Sequence, residues 1–409
     1  MPTSTVPFKV LMQLSWRNLW RHRRRNGMLL AAIVVAVATV VLANSLIRGW
    51  QVQMLDTVVT NLTGHVAVHA AGYRDDPSIE RALKLPADFN PELGDTPIQG
   101  WASRVRVPGV ILSERDTRGV QLVGIDPAQE QRISFLADVV IEGEALTAVD
   151  DRRVLIGAAM AERLSTGVGR RIVLMTQGSD GRNREAGFRV AGLYRAKTAG
   201  LEKTFVFTGR EALQAMLDSD GVTEVSVRLV HNGQRLTARD ILQRQFGEAE
   251  AATWDELEPM AASMFQFADV AILIWFSIMM TALAFGLVNT LITAVMERVR
   301  ELGMLRAIGM RPAVLILQVV IESMMIVGLG AALGIAAGVG FIWRLREGID
   351  LSQWAAGIES YYMSALLIPE LLARDLLLVL GLSLLFGVVA SAWPAWRAVQ
   401  VEPLEAMRH

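Results

Sequence analysis

The residues best placed to do chemistry form a short charged segment, Met296–Gly309, between two long apolar runs. Its charges are three arginines and two glutamates: Arg298, Arg300, Arg306, Glu297 and Glu301. Its apolar residues recur every three to four positions, which is the spacing of one helix face: Val299, Leu302, Leu305 and Ile308. A short amphipathic helix between two membrane spans would lie at the membrane surface with its charges in water. The chemistry that these charges offer is ionic binding of a soluble partner.

The remaining residue types offer little chemistry of other kinds. The 409 residues include no cysteine and only five scattered histidines, which excludes disulfide and thiolate chemistry and gives no zinc-ligand spacing. The net charge of −1 supplies no overall positive field for nucleic acid. No nucleophile elbow or close carboxylate pair stands out between residues 70 and 255. We therefore expect no catalytic, cofactor-binding or metal-binding residues, and no enzymatic activity, on this chain.

Long apolar runs must position the charged segment. Four of them predict transmembrane helices: Met28–Ile47, Ala268–Val295, Val314–Trp343 and Leu376–Trp393. A helix needs about 20 apolar residues to cross the hydrocarbon core of a bilayer. The first run is longer than the core of a cleaved signal peptide, so we expect a retained anchor. The mixed-polarity region between the first two runs is long enough to bury its own core.

The distribution of positive charge predicts the direction of these helices. Basic residues cluster before the first run, between the second and third runs, and after the fourth run. The segment between the third and fourth runs instead holds an excess of acids. Because cytoplasmic loops are enriched in lysine and arginine, both termini and the charged segment are expected in the cytoplasm. The region between the first two helices is then outside.

These patterns predict an α-helical membrane protein with four transmembrane helices and a large α/β extracytoplasmic domain inserted between helices 1 and 2. The expected segments are a cytoplasmic amphipathic helix (1–27), transmembrane helix 1 (28–48), an outer domain with stalks (49–267), transmembrane helix 2 (268–295), a cytoplasmic helix (296–313), transmembrane helix 3 (314–343), an outer loop (344–375), transmembrane helix 4 (376–393) and a cytoplasmic tail (394–409). Trp16 and Trp20 beside arginines suit a first helix that lies in the headgroup layer. A plain topogenic charge cluster is the alternative.

Alternation and turn residues predict short strands and helices in the outer domain. Clear examples are a helix over Arg210–Leu217 and a strand over Glu224–Leu229. Ser103–Val107 is expected to be a strand that ends in a turn at Pro108–Gly109. The polar stretch Gln177–Gly187 is expected to be a hairpin loop.

Three features within and after the spans predict helix contacts. Gly330, Gly334 and Gly338 are spaced by four, which lets two helices approach closely in lipid, although simple tolerance of glycine in a buried helix is the alternative. Glu322 is an acid well inside a span, where such residues are paired or functional, and both a structural and a functional role stay open. Prolines are expected to end the fourth helix and leave a short amphipathic tail, with candidate contact residues Pro394, Arg397, Pro403, Glu405 and Arg408.

These motifs resemble the permeases of the MacB/FtsX-like class of ABC transporters along nearly the whole chain. The family pattern between the second and third spans is E-R-x-x-E-[IL]-G-x-L-[RK]-A-[IL]-G, which residues 297–309 match at every fixed position. The tail from Pro394 to Arg408 resembles the pattern P-A-x-x-A-x-x-x-[DE]-P-x-E-A-[LM]-R. Val154–Leu174 is similar to a recurring piece of the family's periplasmic core domain.

The resemblance implies a non-catalytic permease subunit of the bacterial inner membrane, with one span before a MacB-like periplasmic domain and three spans after it. It implies that the segment between spans two and three docks on an ATPase and passes ATP-driven motion outward, a mode known as mechanotransmission. The docking residues would be Glu297, Arg298, Arg300, Glu301, Gly303, Arg306 and Gly309. The sequence holds no G-x-x-x-x-G-K-[ST], so ATP and Mg²⁺ are expected on a partner chain.

Further partners follow from the same resemblance. They are a second permease copy or a homologous permease, a periplasmic chaperone or adaptor, and membrane lipids. The segment Gly64–His69 and the lengths of the parts resemble the lipoprotein-releasing LolC/LolE permeases, which implies extraction or export of lipoproteins or other amphipathic substrates. The alternatives are export of peptides, antibiotics or small molecules through a MacB-like tripartite system, and FtsX-like signalling to a periplasmic partner.

Overall fold

The computed structural model describes residues 12–13, 15–17, 21, 23–86, 88–196, 199–297, 304, 310–350 and 366–400. Within these ranges the α-helices are α1 (Arg23–Val58), α2 (Pro127–Ile133), α3 (Ala158–Leu164), α4 (Ala199–Thr204), α5 (Arg210–Leu217), α6 (Arg235–Phe246), α7 (Trp254–Leu257), α8 (Pro259–Glu297), α9 (Pro312–Arg344) and α10 (Ala373–Gln400). The strands are β1 (Val66–His69), β2 (Ile98–Leu112), β3 (Thr117–Ile125), β4 (Val140–Gly143), β5 (Arg153–Gly157), β6 (Arg171–Gln177), β7 (Asn183–Tyr194), β8 (Phe205–Gly209), β9 (Glu224–Leu229), β10 (Glu250–Thr253), β11 (Ile349–Asp350) and β12 (Leu366–Leu367). A π-helical turn over Val59–Thr63 follows α1.

The described residues fall into two compact units. The helical unit is drawn from Met1–Val52, Gln266–Asp350 and Leu366–His409, and the sheet unit is drawn from Gln53–Phe265. Among the described residues, four helices are long and apolar enough to cross a membrane: Asn26–Thr63, Pro259–Gly286, Pro312–Arg344 and Ala373–Ala392. Each of these helices overlaps one of the four predicted apolar runs.

The sheet unit is built on one mixed sheet. Its strands lie in the order β10, β1, β9, β2, β3, β8, β5, β7 and β4, while β6 pairs with both β2 and β7. The pairs β3–β8 and β5–β7 are parallel, and the other pairs are antiparallel. The first strand of the unit, β1, therefore lies between the last two strands, β9 and β10. β1, which follows α1, therefore lies beside β10, which precedes α7 and α8.

The middle of the sheet is buried on both faces. Val206 belongs to one apolar cluster, whereas its neighbours Phe205 and Phe207 belong to a second cluster. Successive side chains of a strand point to opposite faces, so the two clusters lie on the two sides of the sheet. Because β8 is covered on both faces of the sheet, all five of its residues are buried. Strands covered in this way are rich in apolar residues on both faces.

The structure departs from the predicted elements at three places. A turn at Pro108–Gly109 was the wrong prediction, because β2 continues to Leu112 and changes partner there, from β9 to β6. The loop expected over Gln177–Gly187 covers only residues 178–182, because β6 ends at Gln177 and β7 begins at Asn183. The helix end expected at Pro394 is also wrong, since the backbone of α10 continues to Gln400.

Candidate functional site

The predicted docking segment falls almost wholly outside the described residues. Glu297 is the last residue of α8, and the proline that opens α9 is Pro312, a position that tolerates the missing N–H. Nine of the predicted contact residues lie outside the described ranges: Arg298, Arg300, Glu301, Gly303, Arg306, Gly309, Pro403, Glu405 and Arg408. Pro394 and Arg397 lie in α10. Ionic docking by these residues stays a prediction.

The three spaced glycines of α9 lie against α1. A Cβ atom built on Gly330 would come within 2.6 Å of Ile33 Cγ2, and one on Gly338 would come within 3.0 Å of Val41 Cβ. At Gly334 it would lie 2.7 Å from Val37 Cβ. No side chain larger than hydrogen fits such approaches without a shift of the neighbouring helix.

The same contacts give the relative direction of α1 and α9. The contacts advance by four residues in both helices, from Gly330 on Ile33 to Gly338 on Val41, so the two helices run parallel. Glu322 lies half-buried in α9, earlier than the glycines, and takes part in a polar or electrostatic contact. Its role stays a prediction.

A charged cluster that sequence reasoning missed joins three helices of the helical unit. Arg48 of α1 donates from Nη1 to Asp269 Oδ1 of α8 at 2.9 Å and from Nε to Asp375 Oδ2 of α10 at 3.2 Å. Gln51 accepts from Arg48 at 2.8 Å and donates to Asp269 at 3.1 Å. Because Arg48 stands just after the apolar run of α1, while Asp269 and Asp375 stand at the beginnings of the runs of α8 and α10, α1 runs opposite to α8 and α10.

A cavity of about 140 Å³ lies beside this cluster. Its wall is mostly apolar and comes from α1, α8 and α10, with Arg48, Asp269 and Asp375 among its lining residues. Asn44 also lines it, and the buried Oδ1 of Asn44 has no hydrogen-bond partner. An apolar wall with charged and polar groups is suited to an amphiphile. Among the described residues, no group of three or more His, Asp or Glu side chains could hold a metal ion.

The sheet unit contains a buried ionic network that sequence reasoning also missed. Arg104 of β2 is 1% exposed, and its Nε and Nη2 donate to Glu130 Oε1 and Oε2 at 2.6 and 3.1 Å. Its Nη1 donates to Glu224 Oε1 of β9 at 2.6 Å and also to the carbonyl oxygen of Leu62. His69 Nε2 lies 3.4 Å from the second oxygen of Glu224. The network thus joins four elements of the sheet unit, β1, β2, α2 and β9, to the turn that follows α1.

Local structure brings each member of this network into place. Arg104 and Glu224 are direct cross-strand partners of β2 and β9. Glu130 comes from α2, whose start is fixed by Pro127 and by the Asp126 carboxylate, which accepts from the Ala128 N–H at 3.0 Å. The signal in the sequence was an arginine and a glutamate inside two predicted apolar strands.

The network holds Arg104 and Glu224 in their charged forms. Burial would raise the pKa of Glu224, but the hydrogen bond from His69 and the charge of Arg104 outweigh it and lower the pKa to about 2. Burial would lower the pKa of Arg104, but the two glutamates outweigh it and raise the pKa. Arg104 and Glu224 therefore stay charged although both side chains are buried.

His65 stands where the chain enters the sheet unit from α1. Its carbonyl oxygen accepts from the N–H of Trp254, the first residue of α7, at 3.1 Å. Its Nδ1 accepts from the Leu229 N–H at 3.1 Å, and burial together with the charge of Arg228 lowers its pKa to about 4. One residue thus ties the segment that enters the sheet unit to the segment that leaves it.

Comparisons with known proteins give the family of this chain. Residues 27–244 match the MacB-like periplasmic core domain, and residues 273–403 match the FtsX-like permease C-terminal family. The lipoprotein-releasing system transmembrane protein LolC of Xylella fastidiosa (strain 9a5c) is 23% identical over 95% of this chain and 96% of its own length. The macrolide export ATP-binding/permease protein MacB of Escherichia coli is 22% identical over 96% of this chain and 59% of its own length.

A solved structure, the periplasmic region of MacB from Actinobacillus actinomycetemcomitans, matches 48% of this chain and 90% of that chain, with a TM-score of 0.34 and 13% identity. The family models, rather than this weak likeness, carry the assignment. The chain belongs to the MacB/FtsX-like permease family, as its motifs predicted, and is an ABC transporter permease of the LolC/MacB type. The expected MacB-like periplasmic domain is confirmed.

Proposed function

We propose that this permease couples ATP hydrolysis by a separate ATPase chain to motion of its periplasmic domain, and that this motion releases lipoproteins or other amphipathic substrates from the inner membrane. The observation that carries the proposal is the match to LolC, which spans 95% of this chain and 96% of the relative. MacB, whose name includes an ATP-binding part, is matched over only 59% of its length. The 409 residues hold no ATP-binding G-x-x-x-x-G-K-[ST] motif, which supports the proposal of an ATPase partner chain.

The proposed topology has four spans with both termini in the cytoplasm. Arginine-rich segments before α1 and between α8 and α9 favour this direction. The helix contacts support the alternation of the spans, although not their absolute direction, because α1 runs parallel to α9 and opposite to α8 and α10. Four consecutive spans that alternate in direction require this relation. The Arg48 cluster would then lie at the periplasmic ends of its helices.

The proposed path of motion follows the chain itself. α1 leads through the turn Val59–Thr63 into β1, and β10 leads through α7 into α8. β1 and β10 are paired from Val66–Thr253 to His69–Glu250. A displacement of either helix therefore reaches the same edge of the periplasmic sheet. The docking segment between α8 and α9 would be the cytoplasmic origin of that displacement.

An amphipathic substrate suits the cavity beside Arg48. Its apolar wall could receive an acyl chain, and its charged rim could receive a polar head group. Arg48 contributes one positive charge and the two aspartates contribute two negative charges. Such a rim favours a head group that carries hydrogen-bond donors.

The test is a release assay with the permease and its ATPase in lipid vesicles. A lipidated peptide in the leaflet on the side of the periplasmic domain should be released when ATP is supplied on the opposite side, whereas the same peptide without acyl chains should not depend on the permease. A variant of the ATPase that binds but does not hydrolyse ATP is the control. Equal release with and without hydrolysis would contradict the proposal.

Export of a macrolide is the second candidate function. It is favoured by the match to MacB, which covers 96% of this chain. The same vesicles distinguish the two candidate functions. A macrolide exporter would move a macrolide across the vesicle membrane in an ATP-dependent way and would release no lipidated peptide.

A further inference from the structure

The last part of α1, Gln53–Val58, belongs to the sheet unit and is called the first stalk below. The turn Val59–Thr63 that follows it is held in an uncommon backbone conformation. Leu62 has φ +79° and ψ −17°, in the left-handed region that a leucine rarely adopts. Its side chain is only 1% exposed. Gly64 follows with φ +69°, and a Cβ there would lie 2.3 Å from Ser226 Oγ. Such a conformation persists only when surrounding contacts hold it.

Two side chains of the periplasmic sheet hold the carbonyl oxygen of Leu62. Arg104 of β2 donates to it from Nη1, and Ser226 of β9 donates to it from Oγ at 3.3 Å. The same hydroxyl also lies 3.1 Å from the carbonyl oxygen of Thr63. Carbonyl groups at the carboxyl end of a helix carry partial negative charge, so a guanidinium is a favourable partner for them.

The remaining contacts of Arg104 fix where its guanidinium lies. Glu130 binds it through two oxygens and Glu224 through a third, and both carboxylates are at most 3% exposed. A buried ionic cluster is often no more stabilising than apolar side chains of the same volume. Its distinctive effect here is position, because the planar fork of arginine can bind two carboxylates and still aim one N–H at Leu62.

We propose that Arg104 is a positioning residue that clamps the end of the first stalk to β2 and β9, so that the stalk and the sheet move as one body. The proposal deepens and rests on the proposed function, because a rigid joint matters only where stalk motion is transmitted. β9 pairs with β1, and β1 pairs with β10, so the clamp also borders the strand that returns the chain to α8.

A second ionic contact between the stalk and β9 supplies a matched control. Arg228 Nη2 lies 2.7 Å from Asp56 Oδ1, but the side chain of Asp56 is 46% exposed. Exposed ion pairs contribute little to stability or rigidity. The change Asp56→Asn should therefore leave the joint intact, although it removes an arginine–carboxylate pair between the same two elements.

The experiment measures the joint directly by spin labelling. The chain has no cysteine, so Gln53→Cys on the stalk and Glu114→Cys in the β2–β3 turn give a single pair of labels. The main variant is Arg104→Met with Glu130→Gln and Glu224→Gln, which leaves no buried charge without a partner. Arg104→Lys is the second variant, because it keeps the charge but lacks the planar fork that holds both carboxylates and Leu62 in a fixed arrangement.

The full-length protein in lipid should show one narrow distance distribution, and Asp56→Asn should not change it. Both Arg104 variants should broaden the distribution at temperatures where they remain folded. A purely structural role would instead lower the unfolding temperature and leave the distribution of folded molecules narrow. An unchanged distribution in Arg104→Lys and in the triple variant would overturn the clamp, whether or not the protein releases a substrate.

The assembled transporter gives the functional arm of the test. Release of lipidated peptide per ATP hydrolysed should fall by about tenfold in the Arg104 variants, which is the size of effect expected from one charge-assisted hydrogen bond. ATP hydrolysis itself should continue. Broadened distances with undiminished release per ATP would overturn the link to transport. If the unmodified complex releases nothing, the proposed function fails, and the distance measurement alone decides whether the clamp exists.

Discussion

At the scale of single residues, the turn between α1 and β1 concentrates the unusual features of the periplasmic domain. Leu62 holds a positive φ, and His65 is buried with its Nδ1 as an acceptor. Both residues lie outside the apolar run of α1. Their effects on stability can therefore be measured separately from those of the membrane helices.

His65 should make the periplasmic domain sensitive to mild acid. In the folded protein the pKa of His65 is about 4, below its ordinary value of 6.5. Between pH 6.5 and pH 4, His65 therefore takes up a proton only in the unfolded chain. The stability contributed by neutral His65 is complete above pH 6.5 and is lost as pH falls toward 4. Replacing it by His65→Asn keeps an acceptor for Leu229 N–H and removes the titration.

The measurement for His65 is thermal unfolding at about pH 7.5 and about pH 5. The unfolding temperature of the unmodified protein should fall more than that of His65→Asn, since the carboxylates are common to both proteins. Glu224 contributes little between about pH 7.5 and about pH 5, because its stabilisation is lost only as pH falls from its ordinary pKa of 4.5 toward its folded pKa of about 2. Identical falls in the two proteins would show that His65 is not buried as a neutral side chain.

Leu62 should be a site where glycine is more stable than alanine. Both Leu62→Gly and Leu62→Ala remove the buried side chain, but only glycine tolerates φ +79° without strain. We expect Leu62→Gly to exceed Leu62→Ala by about 1 kcal/mol in the free energy of unfolding. Leu213, buried in α5, is the control, because there alanine should be the more stable by about 1 kcal/mol. The same order at both positions would contradict a strained turn.

At the scale of elements, the contact between α1 and α9 is set by small residues. Gly334 is the most constrained of the three glycines, since an added Cβ would also lie 2.9 Å from the carbonyl oxygen of Val34. A backbone atom cannot rotate out of the way as a flexible side chain can. The two helices must therefore separate if the glycine is replaced.

Gly334→Ala should destabilise the helical unit by about 1–3 kcal/mol, the cost of overpacking a well-packed contact. Gly340→Ala in the same helix is the matched control, because a Cβ there meets nothing within 4 Å. The control should be neutral or slightly stabilising, as alanine is the better helix former. Thermal unfolding in lipid or detergent measures both, and equal losses would mean that α9 does not lie on α1 in this way.

Local elements could be predicted from the sequence where their pattern is set by near neighbours. Arg210–Leu217 and Glu224–Leu229 have the predicted bounds because turn residues bracket them and their apolar spacing is regular. The turn expected at Pro108–Gly109 failed for a non-local reason. β2 loses one partner strand and gains another there, so the proline falls at the change and the glycine lets β6 and Leu122 approach.

The buried network could not be predicted as a site. Arg104 lies 26 positions from Glu130 and 120 positions from Glu224, and only the pairing of β2 with β9 and the placement of α2 bring them together. Its signal in the sequence is faint, because single charges in strands usually face solvent. The cluster of Arg48 was missed for the same reason, since its partners come from two distant helices.

At the scale of the whole molecule, the proposed function requires that motion at the predicted docking segment reach the periplasmic domain along the chain, through α8 and α1. The family assignment supports a permease, and the helix directions support spans that alternate.

Reversing the charges of the docking segment should release the ATPase. The change Glu297→Lys with Glu301→Lys and Arg306→Glu should weaken binding of the ATPase by at least about tenfold, as reversed pairs at an interface repel. Copurification from membranes measures it, with Glu114→Lys on the periplasmic domain as the control. A permease that holds its partner equally well after the triple reversal would show that this segment does not dock.

The most direct test of the account is the side of the membrane on which the docking segment lies. The chain has no cysteine, so Arg300→Cys and Glu114→Cys each introduce a single reactive thiol. A membrane-impermeant maleimide added to spheroplasts should label Glu114→Cys at once and label Arg300→Cys only after the membrane is opened. Labelling of Arg300→Cys in intact spheroplasts would place the segment in the periplasm and contradict the account.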